Sequence, residues 1–314
     1  MKQLILYMLL ILSAFADEMN VMDLDRFNIH LNVDRDGNVN PKVTVPIDWG
    51  GRFYSAVGYT SMSTVDHSDF GEDYAPSKYV TAGNSQFFWL DVIGSNVRFE
   101  KSYLSYSFTV GYREMTITQY GYLHYHNPDT MQKETMAVDR TTDMKTYSVG
   151  LYLDYTYKRM FDLLSFRVSS HLYPYSYMTS DETMAFMPLV PEPENVKSSG
   201  TQDVSYDLNL DLLIDLLQSV SLGLSARYEY LPFKQDTLVA REDAYAFKVI
   251  EYQSNATTKT VGLRLLFSRF DYFGIQPMLG YERSQLSVET VYGSSASTET
   301  TKSNNYLFGF EKKY

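Results

Sequence analysis

Histidines and carboxylates are the side chains that move protons or hold metals near neutral pH, so any chemistry in this chain would centre on them. There are five histidines, His30, His67, His124, His126 and His171. Ser170 beside His171 is the nearest approach to a nucleophile and its base, but adjacent residues of an extended strand point to opposite faces and cannot cooperate. His124 and His126 share one face and would need an acidic partner to make a metal or hydrolase site; no motif supplies one. The segment holding Asp66, His67, Asp69, Glu72 and Asp73 reads as a solvated acidic loop that can bridge a divalent cation. Asn32 to Asn40 follows the start of a calcium loop, yet the twelfth position, where a bidentate glutamate should close the site, is Val43. Asp36-Gly37 is more simply a hairpin turn. These patterns lead to no catalytic residue, no metal site and no cofactor. A hydrolase using a rim histidine stands as the weakest alternative.

The elements that must position these groups are strands. From Val204 to Leu216, Val204, Tyr206, Leu208, Leu210, Leu212, Ile214 and Leu216 alternate with Ser205, Asp207, Asn209, Asp211, Leu213 and Asp215. At about 100° per residue a helix would scatter these apolar side chains, whereas a strand gathers them on one face. Tilted by about 40°, such a strand covers roughly 33 Å, the thickness of a bilayer core. The same period recurs from Leu104 to Tyr112, Tyr147 to Lys158, Val220 to Tyr230 and Val261 to Phe267. Short links, such as Trp49-Gly50-Gly51 and Leu217 to Ser219, alternate with long polar ones near 65–84, 126–143, 181–203, 234–258 and 294–303. Strands are predicted at 26–34, 39–48, 52–64, 84–98, 103–125, 144–159, 164–180, 203–217, 218–233, 258–270, 275–292 and 304–314. That makes an all-β, antiparallel up-and-down barrel of twelve strands, or ten if the short first pair is a strap.

Residues 1–16 read as a cleaved signal peptide, with Lys2 before an apolar run from Leu4 to Leu12 and Ala14-Phe15-Ala16 at the cleavage site. Residues 17–25 follow as a short periplasmic segment and 26–314 as the barrel. No cysteine is present, which closes the lipoprotein route and excludes disulfides. The 28 tyrosines suit a membrane interface, with an apolar ring and a wet hydroxyl. A net charge of −11 argues against nucleic acid as a partner. With its alternating strands and a last strand carrying Tyr306, Phe308, Phe310 and Tyr314, the chain resembles bacterial outer-membrane β-barrel proteins over its mature length; Lys312 departs from that ending. The resemblance implies location in the outer membrane of a Gram-negative cell. It also implies outer-membrane lipid, lipopolysaccharide and the barrel-assembly machinery as partners.

The polar face of the strands is where transport would live. Its charged members are Arg113, Asp154, Lys158, Arg167, Asp207, Asp211, Asp215, Arg227, Glu229 and Arg264, with Asp91 and Glu282 as further candidates. Unpaired charge inside a bilayer is costly, so these groups either pair across the lumen or face water. The serines and glycines between them favour a narrow porin-like channel for passive diffusion of small polar solutes. A closed structural or adhesion barrel with working external loops is the alternative. Asp207, Asp211 and Asp215 would bias a wet pore towards cations, but would be a clamp if an arginine lies against them. The apolar segment Met184 to Pro191, within an expected external loop, is read as a constriction or a docking surface.

Overall fold

The computed structural model describes residues 28–34, 39–48, 53–70, 77–126, 133–160, 163–187, 190–240, 247–270, 275–292 and 295–312. The expected signal peptide and the segment 17–25 lie outside them. The strands are β1 (Asn28–Asp34), β2 (Val39–Asp48), β3 (Phe53–Phe70), β4 (Ser77–Arg98), β5 (Ser102–His126), β6 (Lys133–Met160) and β7 (Leu164–Met187). They continue as β8 (Val190–Gln202), β9 (Ser205–Leu217), β10 (Val220–Ala240), β11 (Phe247–Phe267), β12 (Ile275–Tyr292) and β13 (Ser295–Lys312). Each pairs antiparallel with its neighbours, and β1 pairs with β13 from Asn28↔Glu311 to Asp34↔Asn305, which closes the sheet.

Twelve wall positions result, because β8 and β9 share one. Tyr173 pairs with Ser205 of β9 and Ser176 with Gln202 of β8, the same register on β7 interrupted only at Asp203-Val204. The short first pair belongs to the wall, so the ten-strand alternative is set aside. The membrane-level strands follow the sequence pattern closely. The expected long loops do not, for most of their residues continue the strands as hairpins: β6 starts at Lys133, β10 runs to Ala240 and β11 starts at Phe247. Beyond the bilayer both faces of a hairpin are wet, so the alternation that marks a strand disappears.

Outward-facing side chains form an apolar band bounded by aromatic rings. On β6 the outer face reads Tyr147, Val149, Leu151, Leu153, Tyr155 and Tyr157, and the first four are exposed. At the loop side Tyr112 packs on Tyr147 at 5.2 Å, Tyr206 on Tyr230 at 5.5 Å and Tyr281 on Tyr306 at 5.8 Å. At the turn side Phe166 packs on Tyr155 at 5.9 Å and on Tyr157 at 5.7 Å. Two aromatic girdles flanking an apolar band about 25 Å tall are the outer surface of an outer-membrane barrel. Exposed Lys259, Arg283 and Lys145 begin just beyond the loop-side girdle.

One irregularity re-aims β7. Val149↔Tyr175 is followed by Leu151↔Leu172, so Tyr173 and Pro174 oppose Gly150 alone. This bulge turns both Tyr173 and Ser176 inward, where an unbroken strand would alternate them. Gly150 is obligatory there, since a Cβ would run into the Leu172 carbonyl oxygen. Gly150→Val should therefore impair folding, costing about 3 kcal/mol by overpacking against backbone. Gly200→Val, where a Cβ meets nothing within 4 Å, should be tolerated. Heat-modifiable gel mobility after refolding reads both.

Candidate functional site in the barrel lumen

The inward faces sort into a packed floor, a charged layer, an open chamber and a covered mouth. The floor lies towards the short turns. Leu213, Leu266, Met278 and Leu307 form an apolar cluster at 0 to 3% exposure. Leu213 is the apolar residue in the otherwise polar face of β9, and here it has its purpose. On the opposite wall Tyr54, Ala56, Asp91, Thr109, Asp154 and Thr156 are buried as completely.

Above the floor the charges are paired. Arg167 Nε donates to Asp154 Oδ2 at 2.8 Å, and the Tyr152 hydroxyl donates to the same oxygen at 2.9 Å. Arg264 bridges two strands, donating from Nη1 to Asp211 Oδ1 at 2.9 Å and from Nη2 to Glu311 Oε1 at 3.0 Å. His30 Nε2 stands 3.7 Å from Glu311. Asp207 receives the His171 backbone N–H at 3.1 Å and Asn209 Nδ2 at 2.9 Å, and His171 Nδ1 lies 3.0 Å from its Oδ2. Arg113 of β5 reaches Glu229 of β10 at 2.7 Å across the lumen, and Arg227 Nη2 contacts the second Glu229 oxygen at 3.4 Å. Asp215 takes the Ser221 hydroxyl at 2.7 Å beside the β9–β10 turn. The column Asp207, Asp211, Asp215 thus meets a histidine, an arginine and a serine respectively, and the anticipated arginine clamp is present at Asp211. Lys158 stands over the Tyr103 ring at 5.3 Å near the short turns.

Six of the expected pore-lining residues, Arg167, Asp207, Asp211, Arg227, Glu229 and Arg264, line a chamber of about 440 Å³. Its lining runs out to Met62, Ser63, Thr301 and Lys302, towards the long hairpins. Sequence reasoning missed its other wall, which is aromatic. Phe87 stacks on Trp89 at 5.5 Å, Trp89 meets the His171 ring edge-on at 6.2 Å, and Tyr152 leans on His171 at 4.5 Å. Room for these rings comes from glycines: a Cβ on Gly58 would strike the Trp89 indole and one on Gly111 would press on Phe87 at 3.0 Å. The signal was present as glycines and aromatics on inward positions, but which glycine faces which ring depends on strand register.

The mouth is partly covered by the outer half of the β10–β11 hairpin. Pairing of β10 with β9 stops at Tyr230↔Tyr206. Pro232, two residues on, has no N–H to continue the ladder. Side chains take over from backbone: Gln202 accepts from Lys234 N–H at 2.6 Å and donates to its carbonyl at 3.2 Å. Further out, fully buried Glu182 of β7 receives the Leu238 N–H at 2.8 Å, the Thr237 hydroxyl at 2.8 Å and Arg140 Nη2 at 2.8 Å. The apolar segment read as a constriction or docking surface begins here. Met184 is buried, while Ala185, Phe186 and Met187 continue β7 against Asp139, Val138 and Ala137 of β6; Pro188 and Leu189 lie outside the described residues. His124 and His126 fall on β5, and Asp66, His67 and Asp69 on β3; their side chains, and Glu72 and Asp73, are not among the described ones. Among the described residues no cluster of three metal-binding side chains occurs. On the exposed β7–β8 hairpin, hydrogen bonds from Lys197 and Asn195 hold the Asp181 carboxyl below its ordinary range.

Two outcomes follow. Arg167→Met, which strands buried Asp154, should cost about 3 to 5 kcal/mol in urea unfolding, and Asp154→Leu in the same chain should recover most of it. Glu182→Ala should release the outer part of β10, raising amide exchange at 234–240 at least tenfold while 220–230 stay protected.

No protein-family model matches the chain, and no curated protein does. Among solved structures it is similar to the translocator domain of the autotransporter NalP from Neisseria meningitidis, at 12% identity and a TM-score of 0.43 over 96% of this chain and 93% of that one. It is also similar to the Pseudomonas putida toluene transporter TodX, at 9% identity and 0.46 over 96% and 94%. A Pseudomonas aeruginosa FadL homologue matches at 10% and 0.40 over 90% and 86%. A closed antiparallel barrel with an apolar outer band between two aromatic girdles is, on its own physical terms, a protein of the Gram-negative outer membrane.

Proposed function

We propose that the protein is a blind-ended outer-membrane barrel, which holds a polar chamber and long β-hairpins towards the exterior instead of providing an open conduit. The floor carries this reading: Leu213, Leu266, Met278 and Leu307 pack on one another where a pore would need water, with Arg264 tied to two carboxylates directly beside them. A conduit for passive diffusion would need a continuous wet path past these side chains. The extended hairpins support the same reading, since strands of 21 to 28 residues are far longer than the 9 to 11 that span a bilayer.

Catalysis is disfavoured by the surroundings of the lumenal histidine. His171 directs Nδ1 at Asp207, as a base oriented by a carboxylate would, but no hydroxyl among the described residues bonds its Nε2. Tyr152, the adjacent hydroxyl, is committed to Asp154. Ser170 faces outward and donates to the Asp207 carbonyl at 2.6 Å.

Planar-bilayer recording tests the proposal. The wild-type barrel should show no steady ohmic conductance, and Leu213→Gly with Leu266→Gly should create one by emptying the floor. Steady conductance from the wild type would sink the blind-ended reading.

A further inference from the structure

The chamber presents three unlike surfaces to one space. The first is the shelf of Phe87 and Trp89, whose rings lie against the wall because Gly111 and Gly58 give them room. Trp89 keeps 9% of its surface exposed and Phe87 carries the Arg113 guanidinium 4.8 Å over its ring, and the parts of the two rings that line the chamber can recognise another flat apolar group. Among the described residues the buried Trp89 indole N–H has no hydrogen-bond partner.

The second surface is cationic. Arg167 and Arg264 are neutralised by the carboxylates already described, and Lys302 is exposed at the outer rim. Lys42 of β2 lines the chamber, yet among the described residues no carboxylate comes within 4 Å of its ammonium and no hydrogen bond satisfies it. Arg227 lies within Coulombic range of it. Among the described residues that arginine has the 3.4 Å contact to Glu229, an acid shared with Arg113, and its Nε is buried with no hydrogen-bond partner.

The third surface is Glu282 of β12. It lines the same chamber, within Coulombic range of both Lys42 and Arg227, and among the described residues it makes no ion pair or hydrogen bond. The other carboxylates near Lys42, Asp207 and Asp211, are already held by His171 and Arg264. Among the described residues, Lys42 and Glu282 thus stand without an ion pair in a chamber of about 440 Å³, a size within the range of about 300 to 1,000 Å³ usual for small-molecule sites.

We propose that the chamber binds a small zwitterion with a planar apolar side group, of the class of an aromatic α-amino acid. Its carboxylate sits between Lys42 and Arg227, its ammonium meets Glu282, and its ring lies on the Phe87–Trp89 shelf. A singly charged analogue leaves one buried charge unanswered, which gives the site its selectivity. This deepens the blind-ended reading by naming what the chamber holds, but binding and conductance are separate readouts. A conducting barrel that still binds would overturn that reading and keep this one.

The test uses the full-length barrel in detergent with Trp49→Phe, so that emission reports Trp89 alone. Phenylalanine should change Trp89 emission saturably, with 3-phenylpropionate and phenethylamine each at least tenfold weaker. Lys42→Met and Glu282→Gln should each weaken phenylalanine at least tenfold, whereas Lys42→Arg and Glu282→Asp should retain most of the affinity. Heat-modifiable mobility verifies that each variant is folded, and a Met or Gln variant that fails this check is replaced by competition between the three probes on the wild type. Absence of a saturable change with phenylalanine, equal binding of a singly charged analogue, or full affinity in both folded charge-removing variants would overturn the proposal.

Discussion

Everything in this molecule follows from the closure of one hydrogen-bonded ladder. In hydrocarbon an unpaired backbone N–H or C=O costs several kcal/mol, so a sheet that crosses a bilayer can have no edge. Closure is achieved by the short pair β1 and β2, whose Ile29, Leu31 and Val33 face outward while His30 and Asn32 face in and β1 registers on β13. Once the ring is closed the wall is fixed, and the remaining freedom lies in what fills it. Twelve strands enclose more volume than a small barrel can fill with short side chains alone. The chain meets that demand differently at each level.

Near the short turns the lumen is filled as a soluble core is filled, with leucine and methionine on one wall and buried tyrosine and threonine on the other. One layer up, filling is by paired charge. Removing two ions from water is expensive, and their attraction offsets this only when geometry and additional hydrogen bonds are good. Asp154 has such support, with Arg167, Tyr152 and Thr156 all directed at it. Polar residues on the inward face of a barrel therefore do not by themselves make a pore, since the same alternation serves a salt-bridged interior. The decision rests on which partners meet, and Arg113 and Glu229 meet across 116 residues of sequence.

The boundary between what was legible in the residues and what was not is physical. Alternation marks a strand only where its two faces see different solvents. Val204 to Leu216 announced itself for that reason, while Lys133 to Asp143, equally extended, looked like a loop. Leu213 could be seen to break the polar face of β9, but its partners Leu266, Met278 and Leu307 come from three other strands and are brought together only by register. Lys42 and Glu282 carried no motif at all. Their interest comes from the absence of a partner among the described residues, a property of the assembled wall and not of either residue's neighbours in sequence. The three aspartates of β9 were visible as a column, yet a column of like charge in one dimension became three separate pairs once the opposing strands were in place.

The covered mouth shows what closure permits where lipid ends. Within the bilayer, β10 must keep its ladder with β9, and it does so through Tyr230. Beyond, Pro232 removes a donor and the pairing lapses, a loss the membrane interior would penalise heavily but which can be made good outside it. Here the replacement comes from side chains: Gln202 imitates a backbone unit by both donating to and accepting from Lys234, and Glu182 accepts the Leu238 N–H in place of a strand carbonyl. A carboxylate is a stronger acceptor than a peptide carbonyl, so the edge is held firmly at one point and lightly elsewhere. A ladder would hold it uniformly. The outer part of β10 thus keeps its ladder with β11 on one side and, among the described residues, is joined to β7 and β8 on the other by side chains alone.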